Sequence, residues 1–113
     1  MTDTREILQL AAKAAGYVIV DFHDDGAWVH KVGAIKNSDG EFPIFLWRPR
    51  VDDGDALRLA VKLGIHITVS KYGRTVCRRS SEFLSIQEHG TDPYAATRLA
   101  ITKAAAEIGR AME

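Results

Sequence analysis

Four histidines (His23, His30, His66 and His89), one cysteine (Cys77) and the carboxylates of Asp52, Asp53 and Asp55 could bind a metal or move a proton in this chain of 113 residues. A zinc site needs imidazoles or thiolates that converge, which a helix achieves with histidines at i and i+4. None of the four histidines is so spaced, and one cysteine builds no thiolate cluster. The acidic run has the outline of a calcium loop, but Gly54 falls between the carboxylates and no glutamate closes the loop. Carboxylates that immediately precede an apolar helical stripe are better accounted for as helix caps, because the first N–H groups of a helix have no internal acceptor. A glycine-rich phosphate loop, a nucleophile elbow and a Walker lysine are all missing from the sequence. The expectation is a non-enzymatic domain with no cofactor and no metal.

Two other features could mediate binding. Between Ala56 and Ser81 stand six basic residues (Arg58, Lys62, Lys71, Arg74, Arg78, Arg79) and no acidic one, although fifteen basic and fifteen acidic side chains cancel over the whole chain. A basic ribbon of this kind suits phosphates or an acidic protein surface; equally, lysines and arginines on strand edges and turns discourage aggregation. The second feature is a proline-bounded loop with Trp47, Arg48 and Arg50, residue types that dominate interface hot spots, with a core position as the alternative for the tryptophan. The candidate binding surface is therefore Trp47, Arg48, Arg50, Lys71, Arg74, Arg78 and Arg79.

These residues must be positioned by local structure, which is clearest from Trp47 to Ser70. Asp52, Asp53 and Asp55 start a helix; Ala56, Leu59, Ala60 and Leu63 recur at helical spacing, with Leu57 and Val61 widening the stripe; Gly64 ends it. The period then changes to two, and Ile65, Ile67 and Val69 oppose His66, Thr68 and Ser70, as in a half-buried strand. Strands at Thr75–Arg79 and Phe83–Glu88 complete a meander. Asp92-Pro93 opens a long last helix whose inner face is assigned Tyr94, Ile101, Ala105, Ile108 and Met112, with Arg98, Lys103, Glu107 and Arg110 outside.

Upstream, Asp3 and Glu6 form a capping-box pattern ahead of the stripe Ile7, Leu10, Ala11, Ala14. A hairpin is expected over Tyr17–Phe22 and Trp28–Val32, turning at Asp24-Asp25-Gly26. Residues 37 to 41 read as a mobile loop tip, and the run 42 to 47, interrupted by Pro43, as an edge strand or a covering segment. The fold class that results is α+β: one domain over residues 1–113, an N-terminal hairpin and a three-stranded meander packed by helices, in the order α-β-β-α-β-β-β-α. A chain of this length buries about two thirds of its unfolded surface without disulfides. Hydrophobic content of 46% and charge of 27% suit a soluble domain, and neither a membrane span nor a signal peptide is legible.

Trp47, Pro49, the run Asp52-Asp53-Gly54-Asp55-Ala56, Leu59-Ala60 and Lys62-Leu63 resemble the phage ABA sandwich domain family, as do Ala95-Ala96, Arg98, Ala100-Ile101 and Ala105. The resemblance spans residues 47 to 113. It implies a bacteriophage or prophage origin and a layered α+β fold, and carries no activity. For small phage domains it implies a module that occupies a host or phage protein, for instance an inhibitor of host defence, in the cytoplasm of the bacterial host. The order helix, meander, helix is also similar to that of the double-stranded RNA-binding domain, so nucleic-acid binding through the basic hairpin at residues 71–79 is the second expectation. Asp92 stands where that family places phosphate-contacting lysines, which argues against its mode of binding. A homodimer is the third arrangement, and an exposed Trp28 would mark its contact.

Overall fold

Alanines dominate the contact that organises the molecule. The computed structural model describes residues 4 to 112, so the capping-box residue Asp3 lies outside them. Helix α1 (Thr4–Ala15) buries Leu8, Ala11, Ala12 and Ala15. The stripe is rotated from the expected one: Ile7, Leu10 and Ala14 are half-buried flanks. Ala100, Ile101, Ala104, Ala105 and Ile108 of the last helix join the same core. There the two backbones approach so closely that a Cβ on Gly109 would collide with the Leu10 carbonyl. Small side chains permit that approach.

Strands β1 (Tyr17–His23), β2 (Gly26–Lys31) and β3 (Phe45–Trp47) form an antiparallel sheet in the order β1-β2-β3. Asp24 turns the hairpin at φ +43°, and a bulge lies between Ile19 and Asp21. Gly26 belongs to the strand itself, where a Cβ would meet the Trp47 carbonyl at 2.5 Å. The third strand extends the expected element order to α-β-β-β-α-β-β-β-α and makes the hairpin and the meander two separate sheets. Pro43 precedes β3, so only Phe45–Trp47 pairs with β2, at the edge. The loop at 37–41 is closed by Asn37, whose Oδ1 accepts from the Asp39 and Glu41 amides at 3.0 Å.

Helix α2 (Asp53–Leu63) begins at Asp52, whose carboxylate accepts from the Asp55 amide at 2.9 Å, and ends at Gly64 in the left-handed region (φ +67°). The Ile65 amide reaches back to the Ala60 carbonyl at 2.9 Å, closing the helix as its sequence prescribes. Leu57 and Val61, expected in its stripe, are 60% and 73% exposed. A second antiparallel sheet follows in the order β4-β5-β6: β4 (His66–Ser70), β5 (Arg74–Arg79) and β6 (Glu82–Glu88). Thr75 and Cys77 point inward and Val76 outward, as the alternation requires.

Helix α3 (Pro93–Arg110) lies over β5, β6 and α1, and α1 in turn lies on β1, giving the expected layered sandwich. Tyr94 and Met112, assigned to its inner face, are exposed at 72% and 51%. They stand at the two ends of the helix, beyond the surfaces that cover its middle. Arg98, assigned outside, is drawn in: its side chain is 17% exposed.

Candidate interaction surface

The segment Trp47–Asp55 is built to hold the ends of two helices together. Trp47 is 2% exposed and meets the edge of Tyr17 at 5.4 Å, with Phe45 on the same ring. This tryptophan is a core residue, which removes it from the candidate binding surface. Pro49 is fully buried beside it. The Arg48 amide donates to Asp55 Oδ2 at 2.9 Å, while Asp55 Oδ1 accepts from Arg58 at 2.7 Å. Arg50 stands 3.8 Å from Asp25, at the tip of the first hairpin, and is 27% exposed. Its carbonyl accepts from Arg98 Nε at 3.0 Å, and Arg98 Nη1 pairs with Asp53 at 2.6 Å. The three aspartates thus split: Asp52 caps, Asp55 holds the loop, and Asp53 receives α3.

The basic ribbon is dispersed by the same local geometry. Lys71 lies 5.2 Å over the exposed ring of Tyr72 in the β4–β5 turn. Next to it, Arg74 meets Glu88 at 3.4 Å across the β5–β6 ladder. Arg78 and Arg79 are at the far end of β5, about 15 Å away at strand rise. Both are exposed, and their register partners are Phe83 and Glu82. Lys62 turns the other way, 4.7 Å over Tyr17, and Arg58 is engaged by Asp55, whose hydrogen bond raises the arginine pKa. The length of β5 keeps Arg78 and Arg79 apart from Lys71 and Arg74, while Arg50 lines a pocket with Glu88, the partner of Arg74.

Between the first turns of α2 and α3 and the inner side of β4 lies a groove of about 560 Å³. Its walls are Leu57, Ile67, Val69, Tyr94 and Ile101, with the Asp53–Arg98 pair at its mouth. Physically, the groove exists because α3 covers β5 and β6 and leaves the edge strand β4 uncovered. Val69 points inward with Thr75, its register partner, yet is 55% exposed. Exposed apolar side chains gathered around a groove, with a few polar groups at its rim, are the usual make-up of a binding site. Helical periodicity assigns Leu57 and Tyr94 to the core; the signal it passes over is that Leu57 and Val61 form a second i, i+4 pair beside the stripe Ala56, Leu59, Ala60, Leu63.

Behind the groove, the fully buried Thr75 hydroxyl bonds to Thr97 Oγ1 at 2.8 Å and to His89 Nε2 at 2.9 Å, tying α3 to β5. Among the described residues no group of three or more His, Cys, Asp or Glu could hold a metal ion. Nor is any helix of the described residues long and apolar enough to cross a membrane. Compared with protein-family models, curated proteins and solved structures, the chain gives no match.

Proposed function

We propose that this chain is a non-enzymatic protein-binding module that seats an apolar segment of another protein in the α2–β4–α3 groove. The observation that carries the reading is the open apolar wall of Leu57, Val69 and Tyr94 beside the unpaired edge of β4. Apolar side chains held open by a rigid frame lose little conformational entropy when a partner covers them, and they gain about 25 cal/mol for each Å² buried. Asp53 and Arg98 at the rim supply polar groups that fix orientation without filling the groove.

The phage setting rests on the resemblance borne by residues 47–63 and the last helix. On it, the partner is a host or phage protein met in the bacterial cytoplasm, and inhibition of a host factor or host defence system is the role proposed. Nucleic acid is the second reading. It is favoured by Arg78 standing beside the exposed ring of Phe83, a pairing of guanidinium and aromatic group on which a base could stack.

Capture from host lysate distinguishes them. The wild-type protein is expected to retain a discrete protein that Leu57→Asp loses and Arg78→Glu keeps. Recovery of the same proteins by both variants would remove the groove from the account, and a duplex RNA or DNA gel shift that collapses with salt and with Arg78→Glu would favour the second reading.

A further inference from the structure

Each sheet carries apolar side chains on its outward face. On an antiparallel sheet with one buried face, outward positions are ordinarily polar. The second sheet follows this rule along β4, where His66, Thr68 and Ser70 face outward with Arg74 and Arg78, and departs from it at Val76, Ile86 and Phe83 on the same face. In the first sheet Val18, Trp28 and Leu46 face outward, with His30 in register with Val18 and Asp21 in register with Trp28. Phe42 lies on the same face, stacked 4.4 Å from the His30 ring, and Val20 and Ile44 are exposed nearby. Trp28 is 37% exposed although it sits in the central strand.

We propose that this face is the interface of a two-fold homodimer. Side chains of these sizes, exposed by about 37–55%, present on the order of 400 Å² of apolar surface. That is the apolar share of an interface burying about 800 Å² per partner, the size of a standard stable complex. A two-fold contact must be self-complementary, and the charges on this face are arranged for it. Asp21 flanks Trp28 at one end and has no ion pair among the described residues. At the other end Lys36 Nζ lies 5.4 Å over the Phe42 ring. A two-fold axis lying in the plane of the interface, parallel to the sheet beside Trp28 and across the line from Asp21 to Lys36, sets Asp21 of one copy against Lys36 of the other, twice, and closes Trp28 and Phe42 between the sheets. The groove is on the other sheet, so the dimer leaves it open.

Sedimentation velocity of the whole chain over about a hundred-fold dilution tests this, since a dimer dissociates by mass action. The wild type is expected at twice the 12.5 kDa chain mass, falling toward 12.5 kDa on dilution. Trp28→Lys, Asp21→Lys and Lys36→Asp are each expected to be monomers with unchanged far-ultraviolet circular dichroism, Leu57→Asp to remain dimeric, and the double variant Asp21→Lys with Lys36→Asp to regain the dimer. A wild type at 12.5 kDa throughout, a dimer indifferent to the two charge reversals, or a double variant that stays monomeric would overturn the proposal. Because Asp21 and Lys36 are both exposed, the charge exchange reads out the interface even where Trp28→Lys fails to fold.

Discussion

Asp53 in the first turn of α2 and Arg98 in the second turn of α3 meet at 2.6 Å, with the arginine 17% exposed and the aspartate 74%. The same guanidinium holds the Arg50 carbonyl, so one side chain fixes the loop, both helix starts and the mouth of the groove. Residues of the W-x-P-x-x-D-D-G-D-A run and of the last helix meet here: Trp47 and Pro49 are buried, Asp52 caps, Asp53 binds Arg98, and Ala100 and Ile101 are core. Each has a packing or hydrogen-bonding reason to be what it is, so the motif marks a frame.

Arg98→Ala is expected to lower unfolding free energy by about 1–2 kcal/mol, through two lost hydrogen bonds and the packing of its stem. Its coupling to Asp53→Ala in a double-mutant cycle should stay below about 1 kcal/mol, because the aspartate is solvated. Urea denaturation of the four proteins measures both.

Gly109→Ala should destabilise by about 2 kcal/mol or more, since the added methyl overlaps the Leu10 carbonyl and α1 must retreat. Gly54→Ala is the control: its Cβ meets only side-chain atoms of Asp52 and Arg58 at 3.1–3.2 Å, and the change should stay within about 0.5 kcal/mol. Thermal denaturation separates the two.

Thr75→Val keeps the shape of the side chain but strips Thr97 and His89 of a shared buried partner. A loss of about 1–2 kcal/mol is expected, with hydrogen exchange accelerating first in the opening turns of α3, where the bond to Thr97 attaches.

Cys77 is fully buried, and burial pushes its thiol pKa up against a smaller opposing effect of the Ser85 hydroxyl. A thiol reagent at neutral pH is expected to leave it unmodified until denaturant is added. The neutral thiol is favoured in the folded state, so its contribution to stability is complete below the unfolded value near 9.0 and is lost as pH rises through the higher folded value. Cys77→Ala should therefore reduce the slope of stability against pH above about 9.

Much of the frame was legible because it is local. Asp52 and Gly64 cap α2 from neighbouring residues, the alternation at Thr75–Cys77 needs only the strand, and Asp92-Pro93 starts α3 unaided. The pairing of 45–47 with β2 was not, because a three-residue edge strand depends on partners sixteen to twenty residues away. The surface was read least well. Trp47, Leu57 and Tyr94 have types and spacings that suit either face; Trp47 is buried against Tyr17 in the first sheet, whereas α3, packed over β5 and β6, leaves Leu57 and Tyr94 exposed. The basic ribbon is continuous in sequence but separated in space, because a strand carries Arg74 and Arg79 to opposite ends.

The central claim is that the groove, and not the basic hairpin, meets the partner. A photo-crosslinking phenylalanine derivative placed at Tyr94, on the groove wall, or at Tyr72, in the basic turn, tests it directly, both sites being highly exposed. In cells expressing the protein, a discrete protein adduct is expected at position 94 and none at 72. A nucleic-acid or protein adduct confined to position 72 would contradict it.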